Sequence, residues 1–190
     1  MTLLEIRLLT TQDYHRMIET GIIDEDERVE LLAGQIVKMA SKGTAHGAAI
    51  TRTTRLLNNR LAGLVLVRLQ DPVELNDYSE PEPDISVVMV DPLDYEDRHP
   101  TPSEIYLIIE IADTTLRKDC GIKATIYAQS GITDYWVLNI SDRQLHVFRE
   151  PSQEGYKSEL ILGDIASISP LHFPETSFMV SEMLRPLTTL

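Results

Sequence analysis

Three charged side chains have types and spacing that could bring them together around a metal ion. Asp84 opens the apolar run ISVVMV, Glu110 lies near the end of the apolar run IYLIIEI, and Lys123 follows 13 residues later. If the two runs form antiparallel neighbours, the start of one lies beside the end of the other, so the two carboxylates meet at one end of a sheet. Because buried carboxylates need a compensating cation, the pair suits a hard divalent ion that prefers oxygen ligands.

The local sequence around these residues supports that geometry and also allows simpler roles. The segment SEPEPDISVV (79–88) places two prolines before Asp84, and each proline favours a stiff, extended entry to the strand. Lys123 falls early in a predicted helix and can fold back over the same sheet end. Taken singly, Asp84 could be a turn residue, Glu110 a solvated carboxylate, and Lys123 an i,i+4 partner of Asp119.

Length and composition predict one domain over residues 1–190. The chain has 43% hydrophobic residues, enough for a substantial core, and no linker or repeat divides it. The N-terminal segment MTLLEIRLLTTQDYHRM lacks the pattern of a secretory leader, and no apolar run approaches membrane-spanning length. We therefore expect a cytoplasmic protein that makes no membrane contact. The single cysteine, Cys120, is expected to be a small helix residue.

The charge balance limits how the protein could contact nucleic acid. With 17 basic and 30 acidic residues, the net charge is -13, so any such contact must be local. The segment Thr44 to Leu69 contains no acid and carries Arg52, Arg55, Arg60 and Arg68. Helical spacing puts the first two on one face, although an ordinary solvated face is the favoured explanation, because charged residues are mostly exposed.

Hydrophobic periodicity predicts a mixed order of helices and strands. Thr10 or Thr11 can cap a helix that runs to about Glu19, and RVELLAGQIVKM (28–39) predicts a β-hairpin turning at Ala33-Gly34. The remaining predictions are a helix over 45–61, strands over 64–69, 84–90 and 104–111, a helix over 117–129, and strands over 134–140 and 144–150. From Glu159 onward only weak strand signals occur, and that tail has no predicted role.

Several segments together resemble a known family of nucleases. Pro83-Asp84, then a strand containing a glutamate, then a lysine resembles the PD-(D/E)XK nuclease superfamily. More closely, RVELLAGQIVKM (28–39), QDPVEL with SEPEPDISVV (70–88), and IIEIADTTLRKDCGIKATIYAQSGITDYWVLNI (108–140) resemble the Uma-type restriction-endonuclease-like family. The resemblance covers about 110 residues in the same order.

The resemblance implies a fold and a set of site residues. The fold is an α/β (α+β) restriction-endonuclease-like core, with a mixed sheet flanked by helices. Asp84 and Glu110 would bind the metal, and the main-chain carbonyl of Ile111 would add a third oxygen. The superfamily lysine usually stands two residues after the glutamate, where this chain has Ala112, so Lys123 is the expected replacement.

Three further residues have weaker assignments under the same resemblance. Glu30 would be an accessory acid that holds a metal-bound water, or else a structural residue of the hairpin. Gln70 is a minor site candidate. His46 is expected to start or cap the arginine-bearing helix rather than to bind metal.

The implied reaction is hydrolysis of phosphodiester bonds in DNA by an endonuclease that uses Mg²⁺, with Mn²⁺ as a possible substitute. Lys123 would position the attacking water or balance charge on the phosphate. Two alternatives stay open: a catalytically silent DNA-binding or protein-interaction module, and a hydrolase of another phosphate ester. The family also implies a homodimer, for which apolar strand edges near 134–150 could pair across subunits.

Overall fold

A computed structural model describes residues 6–24 and 26–187 and contains a six-stranded mixed sheet. The strands are β1 (Val29–Leu32), β2 (Gln35–Lys38), β3 (Leu66–Leu69), β4 (Ile85–Val88), β5 (Ile105–Ala112), β6 (Asp134–Asn139), β7 (Gln144–Ser152), β8 (Gly155–Gly163), β9 (Ser167–Ile168) and β10 (Phe178–Met179). The helices are α1 (Thr11–Glu19), α2 (Thr44–Arg60), α3 (Leu116–Lys118), α4 (Ala124–Gln129) and α5 (Val180–Met183), with a 3-10 turn over Pro102–Glu104 and a π-helical turn over Asp119–Lys123.

The strand order of the main sheet is β3-β4-β5-β6-β7-β8. β5 and β6 run parallel, whereas each of the other neighbouring pairs is antiparallel. Ile85 lies opposite Ile109, so Asp84, one residue earlier, comes level with Glu110 at the end of the β4 and β5 pair. The predicted antiparallel pairing of these two strands and the predicted mixed sheet flanked by helices are confirmed.

Helices cover both faces of the sheet because its strands are apolar on both sides. On one face α2 and α5 pack over a cluster that includes Leu57, Leu107 and Trp136. On the other face α4 packs through Ile126 and Tyr127 against residues of β5 and β6. Residues of α1 and the β1-β2 hairpin form a separate small cluster.

The sequence predicts the extent of most elements well. Thr10 caps α1 through a reciprocal capping box with Asp13. The β1-β2 hairpin turns at Ala33 and Gly34, both with positive φ. On the inner side of α2, Ile50, Leu57 and Leu61 are buried and Leu56 is partly buried.

The helix predicted over 117–129 is present but irregular at its centre. The Ala124 N–H donates to the Asp119 carbonyl, five residues back, which widens the helix into the π-helical turn Asp119–Lys123. Cys120 lies in this turn, and burial raises the pKa of its thiol to about 12, so it is a poor nucleophile.

The C-terminal part contains structure that the sequence did not predict clearly. β8 is a full nine-residue strand that pairs with β7, although only weak strand signals begin at Glu159. Strands β6 and β7 are therefore paired on both sides, and the outer edge belongs to β8. The expectation that edges near 134–150 are free for a partner subunit is wrong.

In the described part of the chain, no helix is both long and apolar enough to cross a membrane. Residues 1–5, which begin the segment judged unlike a leader, lie outside the described residues.

The turn at Gly34 provides a test of how the β1-β2 hairpin is held. A Cβ at Gly34 would lie 2.6 Å from the Leu8 Cβ, and φ is +74°. We expect Gly34→Ala to lower the free energy of unfolding by about 2 kcal/mol or more, from left-handed strain plus overpacking. Urea denaturation measures this loss.

The matched control is Gly63→Ala, where φ is +76° but no atom lies within 4 Å of the added Cβ. This variant carries the backbone strain alone, about 1 kcal/mol. Equal losses in the two variants would show that contact between the hairpin and Leu8 does not restrict residue 34.

Candidate functional site

A cavity of about 330 Å³ opens at the end of the sheet where β4 begins and β5 finishes. Six acidic side chains line it, but only three lysines do so. This excess of carboxylates makes the cavity suited to a cation. The acids are Glu30, Glu82, Asp84, Glu110, Asp113 and Asp119, and the lysines are Lys42, Lys118 and Lys123.

Asp84 is held at the start of β4 by backbone and side-chain donors. The Ile111 N–H donates to Asp84 Oδ2 at 2.9 Å. The carboxylate thus accepts a hydrogen bond from β5 just before β4 begins. His46 Nε2 lies 3.0 Å from Oδ1, and Gln70 Nε2 donates to the same oxygen at 3.3 Å. Burial raises the pKa of Asp84, but His46 and the other donors outweigh it, and the carboxyl group titrates below its ordinary range.

Glu110 lies beside Asp84 on the neighbouring strand and is almost completely buried. Its Oε2 accepts the Asp84 N–H at 3.3 Å, while Oε1 accepts from Lys123 Nζ at 2.8 Å and from the Tyr127 hydroxyl at 3.1 Å. Burial raises the pKa of Glu110 despite Lys123, and the negative charge of Asp84 raises it further. A second cation near this carboxyl group would therefore favour its charged form.

Lys123 is buried between two carboxylates. Its Nζ lies 2.8 Å from Glu110 Oε1 and 3.1 Å from Glu30 Oε2. Burial would lower the pKa of Lys123, but the charges of Glu110 and Glu30 raise it above the ordinary lysine value. The ammonium group is thus held in the charged form next to both acids.

Glu30, which is 1% exposed, brings a second lysine into the same network. Its Oε1 accepts from Lys118 Nζ at 2.7 Å, and its Oε2 also accepts the Glu82 N–H at 3.3 Å. Burial raises the pKa of Glu30, but Lys123 and Lys118 outweigh that effect and lower it below its usual range.

The alternative of an i,i+4 pair between Asp119 and Lys123 does not describe the observed contacts. The Asp119 carboxylate accepts from the Thr115 hydroxyl, whereas Lys123 reaches across to β5 and β1. Asp119 nevertheless lines the cavity, and burial raises the pKa of its carboxyl group.

The oxygen donors at the sheet end fit a divalent ion. No three His, Cys, Asp or Glu side chains form a ready metal cluster within residues 6–24 and 26–187. The Ile111 N–H points at Asp84, and the N–H and C=O of one strand residue share an edge, so the Ile111 carbonyl is directed to the same side. Two carboxylates and one carbonyl are the hard ligands that magnesium accepts alongside water.

Two residues with weak assignments in the sequence, His46 and Gln70, form hydrogen bonds with the Asp84 carboxylate. His46 lies in the first turn of α2 and contacts the carboxylate, and Gln70 precedes β4 in the chain at a left-handed position with φ 55°. Lys42, just before α2, lies with its Nζ 3.9 Å from Asp84 Oδ1. These three residues orient or compensate Asp84.

Most arginines of the acid-free segment Thr44 to Leu69 contact other residues of the same chain. Arg60 pairs with Glu182 and contacts the Phe178 ring, and Arg52 donates to the Met183 carbonyl. Arg68 lies against Tyr95 and Asp71. Arg55 remains on the exposed side of α2, so this segment does not present a continuous basic stripe.

The sequence reasoning missed Lys42, Lys118 and Tyr127 as parts of the site. Lys118 precedes Lys123 by five positions, which is out of phase for a regular helix, and the π-helical turn between them brings the two positions towards one side. Tyr127 is four residues after Lys123, a spacing that does place both on one helix face. That spacing was the available signal.

Comparison with known proteins gives a family for the chain and a similar fold. The family model Uma2, described as "Putative restriction endonuclease", matches residues 11–181. A crystal structure from Anabaena variabilis, described as a "putative nuclease belonging to DUF820", is similar with a TM-score of 0.72 and 15% identity, over 92% of this chain and 97% of that chain. No curated protein matches this chain in sequence. Because the family model spans most of the sequence, this chain belongs to the Uma2 family.

Proposed function

We propose that the protein is a divalent-metal-dependent endonuclease that hydrolyses phosphodiester bonds of DNA. The observation that carries this proposal is the meeting of Asp84, Glu110 and Lys123 in one cavity at the end of the sheet. The family description supports DNA as the substrate, since restriction endonucleases cut DNA. Mg²⁺ is the proposed ion, and Mn²⁺ accepts a similar set of oxygen ligands.

The proposed metal ligands are Asp84, Glu110 and the Ile111 carbonyl. When bound, the ion would polarise the phosphate and lower the pKa of its water. Both carboxyl groups must be ionised to bind it, and the donors around Asp84 already favour that state. His46 and Gln70 fix the carboxylate of Asp84, which reduces the reorganisation that metal binding requires.

Lys123 is the proposed cationic group of the reaction. Its ammonium contacts Glu110, so it stands beside a metal ligand and can donate to an attacking water or to a phosphate oxygen. Tyr127 donates to the same Glu110 oxygen and restricts where that carboxylate can turn.

Loss of either carboxylate ligand tests the nuclease assignment. We expect Asp84→Asn and Glu110→Gln to reduce Mg²⁺-dependent cleavage of supercoiled plasmid by about 100-fold or more, because each removes a charged ligand. Thermal unfolding checks that each variant is folded. Asp97→Asn, at an exposed position outside the cavity, is the charge-matched control.

Full cleavage by folded Asp84→Asn would contradict the proposed metal site. If the native protein binds DNA tightly but does not cleave it with any of the divalent ions tested, the result would instead support a silent binding module. Cleavage of other phosphate esters but not of DNA would identify the alternative hydrolase.

Lys123→Met tests whether the ammonium and the metal ion compensate the same charges. Removing Lys123 leaves Glu110 and Glu30 without their buried partner, so we expect the free energy of unfolding without metal to fall by about 3 kcal/mol. A ligand that binds the folded state stabilises it. Because the carboxylates of this variant have lost the Lys123 ammonium, added Mg²⁺ should stabilise it more than the native protein. Cleavage should fall by about 100-fold.

The measurement is the midpoint of thermal unfolding with and without millimolar MgCl₂, followed by the plasmid assay. Lys157→Met, at an exposed lysine of β8, is the control. An equal effect of Mg²⁺ on the native protein and on Lys123→Met would show that the ion binds away from these carboxylates.

A homodimer is the proposed assembly, because two copies would supply one site for each DNA strand. β8 is the outer strand of the sheet and carries the exposed side chains of Leu160 and Ile161. An unpaired edge of this length can pair with a second copy. We expect light scattering to give twice the chain mass and Ile161→Lys to give the monomer mass; a native monomer would overturn this assembly.

A further inference from the structure

Glu30 has a set of contacts that differs from that of a metal ligand. One carboxylate oxygen accepts from Lys118 at 2.7 Å, and the other lies 3.1 Å from Lys123 and also accepts a backbone N–H. At the sheet end, by contrast, Glu110 Oε2 accepts a hydrogen bond from the Asp84 N–H. Glu30 therefore has an ammonium group at each of its two oxygens, whereas Glu110 contacts Lys123 through one oxygen and the Asp84 N–H through the other.

The π-helical turn allows one carboxylate to hold both lysines. In a regular α-helix, side chains five positions apart point about 140° away from each other. The hydrogen bond from Ala124 to Asp119 widens the helix between Lys118 and Lys123 and brings the two positions towards one side. Glu30, on β1, can then bind the two ammonium groups through its two oxygens.

The two lysines differ in their access to a substrate. The side chain of Lys123 is 5% exposed and contacts Glu110, whereas that of Lys118 is 27% exposed and lies on the cavity wall. A buried ammonium can act only on groups that enter the cavity. A partly exposed ammonium can also meet a phosphate that lies across its mouth.

We propose that Glu30 is a positioning residue that holds Lys118 and Lys123 as a pair, with Lys123 directed to the reacting phosphate and Lys118 to a neighbouring phosphate of the same DNA strand. This inference rests on the proposed nuclease function. It assigns Glu30 to the two ammonium groups and neither to the metal ion nor to a metal-bound water, in contrast to the accessory-acid role that the family resemblance implies.

The first experiment separates the positioning role from metal binding. We expect Glu30→Gln to retain Mg²⁺ affinity within about threefold by calorimetry, since it removes no metal ligand, while Asp84→Asn loses at least about tenfold. In spectra of protein with ¹⁵N-labelled lysine, Glu30→Gln should shift or broaden the ammonium signals of Lys118 and Lys123. Plasmid cleavage by Glu30→Gln should fall by about tenfold or more.

Asp113→Asn is the matched control, because Asp113 lines the same cavity and its side chain contacts Ser141 rather than a lysine. It removes the same charge and should leave both ammonium signals in place. Loss of Mg²⁺ affinity in Glu30→Gln equal to that in Asp84→Asn, with unchanged lysine signals, would overturn the proposal and make Glu30 a metal ligand.

Lys118→Met provides a second test at a partly exposed position, which keeps the proposal falsifiable if Glu30→Gln does not fold. Binding of a fluorescein-labelled DNA duplex is measured against salt concentration in Ca²⁺, which also takes oxygen ligands. We expect the slope of log K against log salt to fall by about one, the effect of one lost phosphate contact. An unchanged slope would overturn the role of Lys118.

The two proposals can fail separately. If the native protein binds metal and DNA but does not cut, the nuclease function fails, and calorimetry, lysine spectra and salt slopes still decide the role of Glu30. If the native protein cuts and Glu30→Gln loses metal, the nuclease function stands and the positioning role fails.

Discussion

The burial of the Lys123 ammonium between Glu110 and Glu30 is the interaction on which the rest of the site depends. Removing three charges from water is costly unless their geometry and hydrogen bonds compensate it. The network supplies that compensation: Tyr127 and the Asp84 N–H satisfy Glu110, while Lys118 and the Glu82 N–H satisfy Glu30. The β1-β2 hairpin, the adjacent ends of β4 and β5, and the helical turn that carries Lys123 must therefore keep their relative positions.

The sheet topology explains why these groups can meet at all. β4 and β5 are antiparallel, so a residue that precedes one strand lies level with a residue near the end of the other. The segment before β4 also pairs with β1, where the Glu80 N–H donates to the Leu31 carbonyl, and this contact brings Glu30 to the same end. Glu30 and Glu110, from two separate strands, converge on Lys123 as a result, and Asp84 lies beside Glu110.

The sequence predicted those parts of the site that depend on strand order and local pattern. Asp84 and Glu110 follow from two apolar runs and the expectation of antiparallel neighbours, and the hairpin carrying Glu30 follows from Ala33-Gly34. The role of Lys118 could not be predicted in the same way, because helical periodicity assumes 3.6 residues per turn. One widened turn changes which positions share a face of the helix. The residue pattern of LRKDCGIK does not predict the π-helical turn.

Two further differences have the same kind of physical origin. The acid-free segment suggested a basic surface, but Arg60 and Arg52 contact the C-terminal elements around α5, which lie far away in sequence. β8 was weakly predicted because its side chains are largely exposed and do not alternate cleanly, yet its backbone pairs with β7 along nearly its whole length. Tertiary pairing decided both outcomes.

The acidity of the protein would give the proposed metal ion a second role beyond chemistry. A chain with net charge -13 repels DNA at long range, and the described cavity itself holds more acids than lysines. A divalent ion between Asp84 and Glu110 would offset both carboxylates at the point where a phosphate must approach. Lys42, whose Nζ lies 3.9 Å from Asp84 Oδ1, would then face a less negative surface, because that carboxylate would be shared with the ion. Metal binding and DNA binding should therefore reinforce each other, and each should strengthen the other by the same factor.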